Sequence, residues 1–237
     1  MINKIIPLAI ADFKLIFRDP TLRAFLAFPL ILFGLFIWFL PNMVEKYDFL
    51  TPYLPLFLMI GVIENTQMFS FISSMVLIDE KETDVAKVYG VVPLSKVQYI
   101  LSRLLIPFLI TVILNIILIK IQIFYPVGWL SNIIISILTA LVVPVYVLGI
   151  NTLVNNRMQG IVYIKAFNMI VLLPIASFFL PPNLKHIFGI LPTHWIFQVI
   201  DNTTQNISIA IPALIGFTFF ILLLIWVSKQ FIRKHFV

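Results

Sequence analysis

Residues 101–124 read LSRLLIPFLITVILNIILIKIQIF, an apolar run that contains only two charged residues, Arg103 and Lys120. The hydrocarbon core of a bilayer is about 30 Å thick, and roughly 20 apolar residues in an α-helix cross it. The alternating strands of a membrane β-barrel would not produce so long an unbroken run. The stretch therefore predicts a membrane-spanning helix.

Five similar runs lie before and after this stretch, so the prediction extends to the whole chain. Hydrophobic residues make up 61% of the sequence and charged residues 11%, against about 25% charged residues in soluble domains. We predict an all-α membrane protein that forms one domain over residues 1–237. Its spans are expected at about 22–40, 52–78, 101–124, 130–154, 161–180 and 208–227.

The basic residues predict the orientation of these spans. With the N-terminus inside the cell, thirteen of the 16 basic residues lie in cytoplasmic segments, and only Lys46, Lys120 and Lys185 lie outside. The positive-inside rule therefore places both termini in the cytoplasm. The net charge of +6 then reflects topology and contact with anionic membrane lipid, and no nucleic-acid partner is expected.

Residues 1–20 have the pattern of an amphipathic helix along the inner membrane surface. Its apolar side chains recur at helical spacing, and Asp19-Pro20 would end it; they are Ile5, Ile6, Ala9, Phe13, Ile16 and Phe17. A simple lipid anchor is the alternative interpretation.

The segment after the second span gathers four of the ten acidic residues: Asp79, Glu80, Glu82 and Asp84. We expect them at the start of a short helix, where the helix dipole favours negative charge, with Glu80 and Glu82 exposed. Val88 and Tyr89 stand among these charges and need a covering surface. Docking to another protein is favoured over a solvated loop, which remains the alternative.

Motifs for catalysis or cofactor binding are missing from the sequence. The chain has no cysteine, its three histidines are scattered, and no glycine precedes a lysine as in the phosphate-binding GxxxxGK[ST] loop. We therefore expect no metal site, no cofactor and no enzymatic activity in this chain.

Glu64 lies near the middle of the predicted second span, where an ionised carboxylate costs on the order of 2.5–3.5 kcal/mol. Five apolar residues share its helical face: Phe57, Ile60, Met68, Phe71 and Met75. Glu64 therefore faces a substrate pathway, or it is protonated or hydrogen-bonded to a neighbouring helix for packing alone.

Four motifs on these six spans resemble the ABC-2 family of ATP-binding-cassette transporter permeases, also called type V exporters. They are RDP at 18–20, DEKETDVAKVYGVVPLSKVQYILSRLL at 79–105, NNRMQG at 155–160 and LPTHW at 191–195. The resemblance implies a permease subunit in a bacterial cytoplasmic membrane, paired with a second permease chain. A separate ABC ATPase subunit would bind the ATP and Mg²⁺.

The resemblance also implies roles for particular residues. Residues 79–93 would form a coupling helix seated on the ATPase through Asp79, Glu80, Glu82, Asp84, Val88, Tyr89 and Pro93. Arg157 would form a second, smaller contact, although a plain connector there is an equal alternative. The second and fifth spans would line the substrate cleft with Phe57, Glu64, Met68, Phe71, Asn168 and Leu172.

Residues 181–206 are apolar but interrupted by Gly189 and Pro192, which predicts two short interfacial or re-entrant helices on the outer side. The family resemblance implies that these helices cover the outer mouth of the cleft. The alternative is that their aromatic residues form a belt at the lipid headgroups. Small outer loops and the apolar stripe favour a hydrophobic or amphiphilic cargo, a drug-like molecule or a lipid. A secondary transporter and a non-transporting membrane anchor or assembly factor are the other functions that the sequence permits.

Overall fold

The computed structural model describes residues 6–7, 9–10, 13–14, 16–83 and 95–235. Within these residues the regular structure is helical and no strand occurs. Six helical segments are long and apolar enough to cross a membrane: Pro20–Lys46, Asp48–Glu82, Lys96–Ile121, Trp129–Leu153, Arg157–Phe179 and Ala210–Lys234. Each overlaps one predicted span, which confirms the predicted fold class.

Proline and local helix type divide several spans. The first consists of α1 (Pro20–Phe25), α2 (Phe28–Gly34), a π-helical turn (Leu35–Phe39) and α3 (Leu40–Lys46). After a 3₁₀ segment (Asp48–Tyr53), α4 (Leu54–Glu82) forms the second span and α5 (Lys96–Ile121) the third. Pro107 lies inside α5, where the hydroxyl of Thr111 donates to the carbonyl of Pro107 at 2.8 Å.

The later spans are broken near prolines, which cannot donate a backbone hydrogen bond. The fourth span is α6 (Trp129–Ala140) and α7 (Val142–Leu153), which meet at Leu141, three residues before Pro144. The fifth is α8 (Arg157–Leu172), which continues as a 3₁₀ segment (Leu173–Phe179) containing Pro174. The last span is α11 (Ala210–His235).

The second span is the centre of the bundle, because α4 packs against α5, α7, α8 and α10 (Pro192–Thr204). Polar side chains join α4 to α5 inside this core. The Nδ2 of Asn65 donates to Oδ1 of Asn115 at 2.7 Å, and Nδ2 of Asn115 donates to the hydroxyl of Thr66 at 3.0 Å. Hydrocarbon offers these groups no partner, so their mutual bonds fix α4 against α5.

The described part of the N-terminal segment is largely helical and lies against the bundle. Ala9 and Ile16 are buried, and with Phe13 they line a small cavity beside Val76 of α4 and Pro107 of α5. Ile6 and Phe17 are exposed. The segment thus packs on the ends of two spans, which a lipid anchor alone would not do.

Residues 181–206 form two short helical pieces that separate at Leu191, before Pro192, while Gly189 lies within the first piece. The first contains α9 (Pro182–Lys185) and a 3₁₀ segment (His186–Ile190), and the second is α10. Helix α10 buries Ile196, Phe197, Val199 and Ile200 against the bundle. Asp201 of α10 and Lys185 of the first piece form an ion pair at 3.4 Å.

Candidate functional site

A partly open stripe runs along α4. Between Leu56 and Ile78 every residue of α4 is buried except Phe57, Ile60, Glu64, Met68 and Phe71. Spacings of three and four residues place these side chains on one face of the helix. The shared face predicted from the sequence is therefore present, but Met75 departs from the prediction because it is only 1% exposed and belongs to the core.

A cavity of about 200 Å³ lies between this stripe and α8. Its walls combine aromatic, thioether and aliphatic groups with one acidic and one basic side chain. The lining residues are Phe25, Glu64, Gln67, Met68, Phe71, Ile161, Ile164, Lys165 and Asn168. Such a site can hold a flat apolar body and offer an opposite charge to each of two polar ends.

Four of the six predicted pathway residues line this cavity: Glu64, Met68, Phe71 and Asn168. Phe57 and Leu172 do not, since they lie farther along their helices, away from the end of the bundle that carries Arg157. The sequence reasoning missed five lining residues: Phe25, Gln67, Ile161, Ile164 and Lys165. The recurrence of Ile161, Ile164, Lys165 and Asn168 at helical spacing was the signal that could have identified the α8 wall.

Neighbouring helices hold Asn168 in place. The hydroxyl of Tyr146, a buried residue of α7, donates to Oδ1 of Asn168. The Nε2 of Gln67 donates to the backbone carbonyl of Asn168 at 3.3 Å. The α8 wall of the cavity is thus positioned by hydrogen bonds from both α7 and α4.

Glu64 is half-buried at the cavity wall, and no hydrogen bond or ion pair joins it to another residue in the described ranges. The alternative in which Glu64 binds a neighbouring helix for packing finds no partner there. Its carboxyl group and the amine of Lys165 both line the cavity, so both groups are accessible to a bound molecule.

An ionic cluster surrounds Arg157 at one end of the bundle. The Nη2 of Arg157 lies 2.7 Å from Oδ2 of Asp19, and its Nη1 lies 3.5 Å from Oδ2 of Asp79. The backbone N–H of Arg157 donates to Oε2 of Glu82 at 2.9 Å. The hydrogen bond from Arg157 holds the pKa of Asp19 below its usual value. Three of the four sequence motifs therefore meet in space, and they link the start of the first span to the ends of α4 and α8.

The acidic segment differs from its prediction in its position on a helix. Asp79, Glu80 and Glu82 belong to the last turn of the long helix α4 and do not begin a short helix. The carbonyl end of a helix disfavours carboxylates, and nearby Arg157 offsets this for Asp79 and Glu82.

Glu80 was expected to be exposed, and this was wrong. It is 6% exposed and forms an ion pair with Arg103 of α5 at 2.9 Å, because α5 crosses α4 at this level. Asp84, Val88, Tyr89 and Pro93 fall outside the described residues, so the coupling helix beyond Thr83 remains a prediction. In the part of the chain that is described, no group of acidic or histidine side chains could hold a metal ion.

Comparison with known proteins gives one match. A family model described as "Fluoroquinolones export permease protein Rv2686c-like" matches residues 12–228 of the 237. The match covers all six candidate spans except the last residues of the sixth. No curated protein and no solved structure matches the chain.

Proposed function

Because the chain belongs to the Rv2686c-like family of fluoroquinolone export permeases, an ABC-2-type family, we propose that it is the membrane subunit of an ABC exporter. It is a multi-pass membrane protein with the composition of a permease. The proposed cargo is an amphiphilic drug-like molecule, which leaves the cell through the cleft between the second and fifth spans. The proposed setting is a bacterial cytoplasmic membrane with both termini inside.

The observation that carries this proposal is the cavity between α4 and α8. Fluoroquinolones are flat aromatic acids, most of which also carry a basic amine, so near neutral pH they are zwitterions. Glu64 would bind the ammonium group and Lys165 the carboxylate, while Phe25, Met68 and Phe71 cover the ring system. Thioether and aromatic walls adapt to cargoes of different outline.

The energy for export would come from ATP hydrolysed by a separate ATPase subunit, because the chain has no phosphate-binding loop. Two permease chains would pair, and two ATPases would bind at their cytoplasmic ends. ATP hydrolysis can change the side of the membrane to which the cleft opens only if the ATPases bind the two permease states with different affinity. The segment after Thr83 would make this contact.

The Arg157 cluster lies at the end of α4 that leads into the segment proposed to contact the ATPase. On α8, Ile161 to Asn168 follow Arg157 within about three turns. The rings of Phe25 in the first span and Phe71 in the second pack edge to face, with their centroids 4.9 Å apart. This pair closes the cavity on the side of the first span. A movement of the α4 end relative to α8 would therefore reach the cavity through these contacts.

Uptake of a fluoroquinolone into inside-out vesicles that contain the chain and its ATPase tests the proposal. Uptake should require ATP, and Glu64→Gln should raise the KM about tenfold or more, because it removes a charged hydrogen bond to the ammonium group. Glu45→Gln is the matched control, since Glu45 is exposed and lies outside the cavity.

A fluoroquinolone with an acylated, uncharged amine should show little difference between the wild type and Glu64→Gln. Equal KM values for Glu64→Gln and Glu45→Gln with the charged cargo would contradict the assigned role of Glu64. ATP-independent uptake would favour a secondary transporter.

A further inference from the structure

A second, larger depression lies between the third and sixth spans. It has a volume of about 580 Å³, with α5 and α11 as its sides and residues Leu141 and Pro144 of the fourth span at its base. Helix α7 packs against both α5 and α11 and keeps them apart. No residue that lines this groove also lines the Glu64 cavity.

The groove has the depth of one membrane leaflet. Along α5 its lining extends from Val97 to Phe108, and at 1.5 Å per residue this is about 16 Å. Half of a hydrocarbon core of about 30 Å is nearly the same length. The groove ends about halfway along α5, at the break of the fourth span beside Leu141.

Charge is confined to the other end of the groove. Among the lining residues in the described part of the chain, Lys229 alone is charged, and the hydroxyl of Ser228 lies next to it in the chain. The remaining lining side chains are apolar. Lys229 is exposed at the end of α11 that approaches the start of α5.

We propose that this groove binds one anionic phospholipid from the leaflet at the Lys229 end, which is the cytoplasmic leaflet in the proposed orientation. An acyl chain fills the apolar part, and the phosphate group binds the ammonium of Lys229 and the hydroxyl of Ser228. The leaflet-length apolar slot and its single basic end fit this ligand, because basic pockets between spans recruit anionic headgroups.

The bound lipid would join the third span to the sixth, which make few direct contacts with each other. It would thereby support the start of α5, where the chain emerges from the segment assigned to the ATPase contact. This role is independent of which cargo the other cavity carries.

Native mass spectrometry of the purified chain with phosphatidylglycerol and phosphatidylcholine of identical acyl chains tests the proposal. One ammonium near the headgroup predicts that the first phosphatidylglycerol is retained about fivefold better than the first phosphatidylcholine. Lys229→Gln should abolish this preference. Arg233→Gln, which removes a charge one turn farther along α11 outside the groove, should keep it.

A second pair of variants tests the apolar slot. Ile225→Trp places bulk inside the groove and should remove the first bound lipid of either kind, whereas Leu222→Trp, on the exposed surface of the same helix, should not. Equal retention of both lipids by the wild type, or the same loss in Lys229→Gln and Arg233→Gln, would overturn the proposal. So would a disulfide-linked dimer of Ile225→Cys in native membranes, because a second copy of the chain would then occupy the groove.

Discussion

Glu80 and Glu82 are two residues apart in the chain, yet their carboxylates lie in different surroundings. Glu80 is buried and ion-paired with Arg103, whereas Glu82 is exposed and accepts a hydrogen bond from the backbone of Arg157. Glu80 fixes α4 to α5 inside the bundle, whereas Glu82 joins α4 to the start of α8 at the end of the bundle. A mutation that treats both residues as surface acids would therefore confuse folding with docking.

Glu80→Gln should destabilise the chain far more than Glu82→Gln. Removing one partner of a buried ion pair costs about 3–5 kcal/mol, whereas an exposed contact is worth about 1 kcal/mol or less. The fraction of monodisperse protein that survives heating in detergent measures the difference. Combining Glu80→Gln with Arg103→Gln should restore part of the loss, and equal heat resistance of the two single variants would contradict the burial of Glu80.

At the scale of helices, α4 and α8 pack tightly beside the Arg157 cluster. A Cβ atom on Gly160 would lie 2.6 Å from Cδ1 of Ile78, so the Ile78 side chain packs directly against the backbone of α8 there. This contact sets how near α8 lies to the Glu64 stripe. The width of the cavity therefore depends on a glycine one turn after Arg157.

Gly160→Ala should cost about 1 kcal/mol in the free energy of unfolding, since the new methyl group displaces Ile78. Gly149→Ala is the matched control, because its Cβ would meet Phe167 and Val227 only at 3.9 Å. That variant should be neutral or more stable through its better helix propensity. Denaturation in detergent compares them, and a stabilising Gly160→Ala would show that the helices lie farther apart.

The sequence predicted the helices well because bilayer thickness sets the length of an apolar run. It also predicted the α4 stripe, since helical spacing alone determines which side chains share a face. The sequence did not predict the burial and pairing of a side chain whose partner lies in a distant segment of the chain. Nothing near Glu80 in the chain indicates Arg103 across the helix crossing, and nothing near Asn168 indicates Tyr146.

For the whole molecule, the positive-inside pattern and the six spans predict one orientation. The chain has no cysteine, so single cysteines report it cleanly. In intact cells Asp48→Cys and Gln205→Cys should react with a membrane-impermeant thiol reagent, and Thr83→Cys should react only after the cells are opened. All three positions are exposed. Labelling of Thr83→Cys in intact cells would reverse the proposed orientation.

Protection of Met68→Cys by cargo tests most directly whether the cavity between α4 and α8 is the binding site. Met68 lines the cavity, while Ile60 lies two turns away on the same stripe of α4 and does not. In membranes that contain the ATPase, a fluoroquinolone should slow the thiol labelling of Met68→Cys about tenfold at a concentration ten times its KM, and leave Ile60→Cys unchanged. Labelling of both variants at rates independent of the fluoroquinolone would place the cargo elsewhere and contradict the account.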